Sequence, residues 1–357
     1  MLDPTIPAND LPLLPHGYDF GQRDFLQLAI KANYALAQLD GLSSLLPNYE
    51  LLISPLLAKE CIASNEIENI NTTMIHFLQQ EAISPDRLTG PEKEVQHYRH
   101  ALMQGIERMN TEGGISTNLL IYLQSLIEPS KPGIRKIPGT VIANHLTNEV
   151  IYTPPQGEHV IRNLLGNLEQ WINMQDDQID PLIKMAVIHY QFESIHPFYD
   201  GNGRVGRILM MLYLLLTNKI SKPILFLSSY ITKHKQRYYA SFTRSSTDPY
   251  RSCIEFLLQG VIEQSTQTKN TIIQINDMMT KYTQTFQSLQ YKESYFLAKT
   301  LFAYPFVSIS ALAQHLSLSR QTIHEYVKTL LSHNLIKTTK IGRNTLIYIP
   351  EFIDILS

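Results

Sequence analysis

Between the apolar runs IKMAVIHYQF and ILMMLYLLL the chain reads HPFYDGNGRVGR, from His196 to Arg207. That run holds one imidazole, one carboxylate, one carboxamide, two guanidinium groups and three glycines. Each suits a part in phosphate chemistry. His196, with an ordinary pKa of about 6.5, fits a general base near neutral pH. Arg204 and Arg207 stand at an i, i+3 spacing that shares one helix face, and such a face suits a polyphosphate. Gly201 and Gly203 let backbone N–H groups turn inward as an anion nest where the next helix begins, adding that helix's partial positive charge. Asn202, between them, is placed to donate to a phosphate oxygen. Asp200 precedes the nest, where a carboxylate holds a Mg²⁺ that bridges phosphates, with water completing the octahedron. Phe198 is expected to face the core and pin the loop.

Commoner explanations fail on context. GNGRVG fits the dinucleotide fingerprint G-x-G-x-x-G, but that motif needs a preceding strand and an acid about 20 positions on to hold a ribose. Here a helical segment precedes it, and no Asp or Glu occurs from Gly201 through Thr247, a stretch with eight Lys or Arg. A Walker A loop fails because Arg207-Ile208 stand where Lys and a hydroxyl residue belong. A hydrolytic metal site from His189, Glu193 and His196, at i, i+4 and i+7, lacks the H-E-x-x-H order and gives the arginines no use.

These side chains need a frame. PLIKMAVIHYQFESI before the motif and RILMMLYLLL after it read as helices, the second buried. Earlier, DFLQLAIKANYALAQLDGL has helical spacing. SPLLAKECIASNEIEN reads as a helix capped by Ser54 with Pro55 in its first turn, and the pattern from Glu92 to about Leu126 is again helical. TVIAN and EVIYT flank HLTN inside Pro/Gly clusters, which predicts a β-hairpin. HVIRNLLGNLEQWINM is a further helix. After STDP, another runs to about Gln264, and TQTKNTIIQINDMMTKYTQTFQSLQ looks like a polar helical connector. From Tyr295 the pattern is a short helix, the turn SLS, and a Ser319-capped second helix with Ile323, Val327 and Leu330 as its apolar face. Two strands about Gly-Arg-Asn follow. This resembles a winged helix-turn-helix, with Arg320, Gln321, Thr322 and His324 opening the recognition helix and Arg343 on the wing. Such a module takes DNA or a protein partner.

The expected fold is therefore mainly α, with four parts. Residues 1–91 form an N-terminal helical arm, 92–264 a catalytic core with a small hairpin, 265–294 a helical connector and 295–357 the winged helix-turn-helix. With 44% hydrophobic and 17% charged residues and a formal charge of −2, the chain reads as globular, and binding of nucleic acid by the whole surface is disfavoured. Cys61 and Cys253, two distant cysteines, suggest buried thiols in a reducing compartment. With no leader pattern and no apolar run near the roughly 18 residues of a membrane span, the cytoplasm is the expected location and no membrane partner is expected. A homo-oligomer is left open.

HPFYDGNGRVGR resembles the signature of the Fic (filamentation induced by cAMP) family, H-x-F-x-[D/E]-G-N-G-R-x-x-R, at every fixed position. GIRKIPGTVIAN and EVIYTPPQGEHV are similar to the family's flap hairpin. LPLLP, ALAQLDGLSSLLPN and SPLLAKECIASNEIEN resemble the arm of bacterial Fic proteins that also carry a C-terminal winged helix. The resemblance implies a Fic-type helical core and transfer of AMP from ATP to a hydroxyl of a protein side chain, the chain itself included. His196 then takes the hydroxyl's proton and Asp200 holds Mg²⁺. Gly201, Asn202 and Gly203 cradle the α-phosphate, Arg204 and Arg207 hold the β and γ phosphates, and Val205 and Gly206 belong to the same nucleotide-binding run. Tyr238 and Tyr239 match a pair set against the adenosine, and the flap strand TVIAN pairs with an extended segment of the target by β-augmentation.

SNEIEN, from Ser64 to Asn69, resembles the family's inhibitory pattern [S/T]-x-x-x-E-[G/N], with Ser64, Glu68 and Asn69 at the fixed places. The resemblance implies that Glu68 occupies Arg207 in place of the γ-phosphate, which is chemically sound because arginine forks carboxylate and phosphate alike. Two other functions fit the same residues: a nucleotide-sensing, DNA-binding regulator, and a Fic enzyme working in reverse, removing AMP with the glutamate aiding hydrolysis.

Overall fold

A computed structural model of the chain describes residues 3–45, 49–143, 149–175, 177–242, 248–291 and 293–357. Its helices are α1 (Arg23–Leu45), α2 (Tyr49–Ile67), α3 (Met74–Ile83), α4 (Gly90–Glu112), α5 (Thr117–Ile127), α6 (Glu158–Ile172), α7 (Pro181–Ile195), α8 (Asn202–Leu216), α9 (Leu227–Lys233), α10 (Lys235–Ala240), α11 (Arg251–Ser288), α12 (Ser294–Ala303), α13 (Ile309–Leu316), α14 (Arg320–Ser332) and α15 (Pro350–Leu356). The strands are β1 (Ile142–Ala143), β2 (Val150–Tyr152), β3 (Val307–Ser308), β4 (Lys337–Ile341) and β5 (Asn344–Tyr348). The chain divides into two compact units, one of Met1–Asp40 with His97–Thr266, the other of Gly41–Gln96 with Gln267–Ser357.

The core of the first unit is the α7/α8 hairpin. Nearly every side chain of both helices is buried, from Leu182 to Ile195 and from Val205 to Leu214. A helix apolar all round must be wrapped by others; α5 and α6 supply much of that wrapping. Asp180 caps α7 through the Leu182 N–H at 2.8 Å, with Pro181 at its first position, so the motif's leading helix starts at a fixed point. The hairpin pairs Ile142 with Tyr152 and Ala143 with Val150. It is shorter than TVIAN and EVIYT suggested, and residues 144–148, which include the expected HLTN connection, lie outside the described residues. The Pro-rich N-terminal segment is tied down by the Asn167 side chain, which accepts from Leu14 N–H and donates to its carbonyl, both at 2.8 Å.

In the second unit, α2 packs on α12 and α15, and a three-stranded antiparallel sheet runs in the order β3-β5-β4. α13 and α14 are joined by a turn with Ser317 left-handed, and Ser319 caps α14 on the Thr322 N–H at 3.0 Å. Ile323, Val327 and Leu330 are buried as the spacing predicted.

Two helices differ from expectation. α2 begins before Ser54, so Pro55 stands inside the helix and not in its first turn. The missing hydrogen bond is offset by burial of Leu56, Leu57, Ala58 and Cys61 in the turns that follow. The connector is continuous with the helix before it, as α11. No proline interrupts the stretch, and Gly260 admits the Tyr230 ring where a Cβ would sit 2.7 Å from its edge. The polar half is not bare either: Ile272, Ile275, Met279, Tyr282 and Phe286 recur at helical spacing and are buried.

Candidate active site

α7 ends at His196, whose N–H still reaches the Phe192 carbonyl at 3.0 Å but whose backbone is left-handed, φ 48° and ψ 59°. A non-glycine residue there is strained by about 1–2 kcal/mol and persists only where its surroundings hold it. Pro197 prevents continuation of the helix. Phe198 is wholly buried against Phe192, ring centroids 6.2 Å apart, and anchors the loop as expected.

α8 begins on Gly201, left-handed at φ 85°, and no side chain caps it. A side chain at that φ would be strained, so glycine both permits the turn and leaves the helix's first N–H groups uncovered for an anion. The carboxylate of Asp200 accepts from the Gly201 N–H at 2.7 Å and is itself exposed. Asn202 behaves differently from the expected phosphate donor. Its carbonyl accepts from Phe198 N–H and its amide donates to Phe198 O, both at 2.8 Å, so it closes the loop on itself with only its second amide hydrogen left over. Gly203 follows in the first turn, and Val205 is buried.

Arg204 and Arg207 are 2% and 3% exposed, so neither is a solvated surface cation. The Arg204 guanidinium lies 3.7 Å from Asp200 and 3.9 Å from Glu128, loose pairs. Gly206 has a packing role: a Cβ there would fall 2.2 Å from Glu193 Oε1 and 3.2 Å from both His189 and Phe192. Three side chains of α7 crowd this one point. Gly206→Ala should therefore destabilise the protein by about 1–3 kcal/mol, read as a lower urea midpoint.

His189 is fully buried between Gly206 and Tyr238. Its Nδ1 is 3.3 Å from the Gly206 carbonyl, which only accepts, so Nδ1 carries the proton, and Nε2 accepts from the Tyr238 hydroxyl at 2.9 Å. Burial first, and the Arg207 guanidinium second, pushes its pKa down to about 3. The unfolded chain therefore takes this proton first on acidification. The stability His189 contributes is present above pH 6.5 and is lost as pH falls toward 3, at up to about 1.4 kcal/mol per pH unit. Urea midpoints across that window should fall with acid in the wild type, and more shallowly in His189→Gln. Tyr238, its partner, is thus turned inward, whereas Tyr239 is 52% exposed and presents its ring outward.

The SNEIEN segment lies in the second unit. Ser64 is buried in α2, and the helix closes with Ile70 N–H on Asn65 O and Asn69 N–H on Glu66 O, each at 3.0 Å. This is a Schellman closure with Asn69 in the left-handed position, φ 62°. Asparagine does there what glycine does in the [G/N] pattern. Glu68, the last residue before it, is exposed, as is Asn69.

Several residues around the loop had no signal in the sequence. Gln124 is wholly buried and donates to the carbonyls of Lys131 at 3.0 Å and Asp200 at 3.1 Å, accepting from Gly133 N–H. Arg135, Tyr152 and Tyr199 tie the chain around the hairpin to the loop. Glu128 stands beside Arg204.

The stretch that carries this loop, with the segment before it, is similar to known proteins. Residues 26–107 match the Fic/DOC family N-terminal domain and residues 89–214 the Fic/DOC family, together more than half of the chain. The chain belongs to the Fic/DOC family. A probable protein adenylyltransferase of Aquifex aeolicus is 31% identical over 166 residues, 45% of this chain and 48% of that one. Protein adenylyltransferase fic-1 of Caenorhabditis elegans is 37% identical over 65 residues, 18% of this chain and 13% of that one. The matches thus span half or less of these relatives' lengths. Among solved structures, a Fic family protein from Desulfovibrio desulfuricans aligns with a TM-score of 0.54 at 19% identity, covering 92% of this chain and 97% of that one. A segment of Fic-1 from C. elegans aligns at 0.54 and 19%, covering 72% and 74%. The fold is thus the Fic fold.

Proposed function

We propose that this Fic chain is a protein adenylyltransferase, moving AMP from ATP to a side-chain hydroxyl of a protein, itself included. The observation that carries the reading is His196 and the uncapped glycine start of α8 at two ends of one short loop, with Arg204 and Arg207 on the same helix. His196 accepts the proton of the attacking hydroxyl. The hydroxyl oxygen forms a bond to the α-phosphorus while the bond from that phosphorus to the bridging oxygen breaks, and pyrophosphate leaves. The first N–H groups of α8, at Asn202 and Gly203, face the α-phosphate, and the arginines take the charge of the departing pyrophosphate. Val205 and Gly206 complete that run, and Tyr239 offers its ring to the adenine while Tyr238 supports the wall through His189.

Among the described residues no three His, Cys, Asp or Glu side chains gather into a metal site. The exposed carboxylate of Asp200 suits Mg²⁺, which takes one or two carboxylates and fills its shell with phosphate oxygens and water. Asp200 would hold that ion, whose charge neutralises the phosphates. Target docking is supported by the flap, where Val141 and Ile151 are exposed beside the β1–β2 pair. Glu68 would restrain the enzyme by taking the guanidinium fork of Arg207; Ser64 is buried in the helix that presents it, and Asn69 closes that helix.

Incubation with ATP labelled at the α-phosphate, and separately at the γ-phosphate, tests the reaction. Covalent label from the α position alone, with a mass gain of one adenylyl group, is the expected result. Label from the γ position would replace the reading with phosphorylation, and release of AMP from an adenylylated protein with no forward transfer would favour the reverse direction.

A second partner is supported by the C-terminal segment. Lys337, Lys340 and Arg343 are exposed around the β4–β5 hairpin, Arg320, Gln321, His324 and Lys328 are exposed on α14, and no acid occurs from Tyr326 to Pro350. A winged helix-turn-helix of this charge fits duplex DNA. The full chain should bind DNA with an affinity that falls steeply with salt. Replacing Lys337, Lys340 and Arg343 with Gln should flatten that dependence by about one unit of log–log slope for each phosphate the variant no longer neutralises.

A further inference from the structure

We propose that Arg135 is a positioning residue for the AMP transfer read above: its guanidinium, sealed beneath the end of α7, holds His196 in its left-handed backbone conformation and so aims the imidazole.

Arg135 is 1% exposed. Its Nε donates to the His196 carbonyl at 2.7 Å, and its Nη2 donates to the carbonyls of Ile195 at 3.3 Å and Pro155. These acceptors are all main-chain. The last carbonyls of a helix have no intrahelical donor and carry its negative partial charge, so a buried cation there is matched to the dipole. Burial lowers the pKa of Arg135, yet a guanidinium keeps its charge, and its planar fork reaches several acceptors at once where an ammonium is a point charge.

The bonds extend along the loop on both sides. The Tyr152 hydroxyl donates to Ser194 O at 2.8 Å, Arg135 N–H to Pro197 O at 3.0 Å, and Ile134 forms a β-bridge with Phe198. The Tyr199 hydroxyl accepts from Lys136 and Ile137 N–H at 2.9 and 3.1 Å. Every residue from Ser194 to Tyr199 is therefore held by the flap or by the segment that leads into it. His196 sits at the middle of this seam, and its strained conformation is over-determined from outside its own helix. Arg135 touches no reacting group, so its effect on chemistry runs through His196 alone.

The test uses the full chain in the Glu68→Gly background. Arg135→Ala should lower kcat for AMP transfer by about 10–100-fold, the scale of a misplacement near 1 Å, while KM for ATP stays within about threefold because the phosphate-binding groups are on α8. Millimolar methylguanidinium should restore part of kcat, and Arg135→Lys should fall between the two. A readout independent of turnover is the imidazole ¹⁵N signals of His196, assigned by their loss in His196→Ala. They should shift or broaden in Arg135→Ala and return with methylguanidinium. Unchanged His196 signals in Arg135→Ala would overturn the proposal, as would a loss of kcat that tracks thermal stability and ignores methylguanidinium. Should Arg135→Ala not fold, Arg135→Lys carries the same decision: unaltered kcat and unaltered His196 signals would sink the idea. An inactive Glu68→Gly parent with intact His196 signals would count against the adenylyltransferase reading only, and the signals would then decide the role of Arg135.

Discussion

His196→Ala is expected to reduce AMP transfer by about 10²–10⁴-fold, the usual contribution of a positioned general base. The protein should remain folded, because the contacts that anchor the loop lie elsewhere. Phe198 fills the core beneath it, Asn202 closes it on Phe198, and the His196 residue is held through its main-chain carbonyl. Alanine preserves that carbonyl. Binding of ATP should change little, since the helix start and the arginines are retained, so the loss should appear in kcat and not in KM. Label transfer measured at saturating ATP, beside a melting curve, checks both halves. A variant that keeps wild-type kcat would remove His196 from the mechanism.

The second large effect concerns the pair Glu68 and Arg207. Glu68→Gly should raise transfer about ten- to hundredfold, the scale of freeing a guanidinium from a charge-assisted hydrogen bond of about 1.5–3 kcal/mol. Arg207→Ala should lower it about 10²–10³-fold, as when one preorganised stabilising group is removed from a transition state. Because Glu68 is proposed to act through Arg207, the two effects should not add. In the Arg207→Ala background, Glu68→Gly should give no further gain. Full activation there would mean that Glu68 restrains some other group. The exposure of Glu68, beyond a helix end that Asn69 closes in the left-handed conformation, is consistent with a side chain that reaches outward.

Much of this site was legible in the residues themselves. HPFYDGNGRVGR joins types that phosphate chemistry requires at spacings that fit a loop and a helix start, and apolar runs on either side mark buried helices. Local signals of that kind survive in sequence because backbone geometry fixes them over a few residues: Pro181 starts α7, Gly201 opens α8, and the apolar face of α14 repeats at helical spacing. Where local signals misled, tertiary packing was the cause. Ser54-Pro55 looks like a helix start, but burial of the next turns carries α2 through it. The polar stretch after Gln264 looks like a bare connector, but one apolar stripe packs it into the second unit. Asn202 looks wholly free for a phosphate, but one of its amide hydrogens and its carbonyl close the loop on Phe198.

By itself the sequence determined the helices that frame the loop and the family to which the chain belongs, and it supplied the proposed reactive set and the glutamate proposed to restrain it. Only the tertiary structure decided what holds the set in place. Arg135, Gln124 and Tyr152 meet the loop from 61, 76 and 42 positions away, and contacts at such separations leave no periodicity and no fixed spacing to read. Burial decided the rest, turning Tyr238 inward to His189 and leaving Tyr239 exposed, although the two residues are chemically alike and adjacent in the chain.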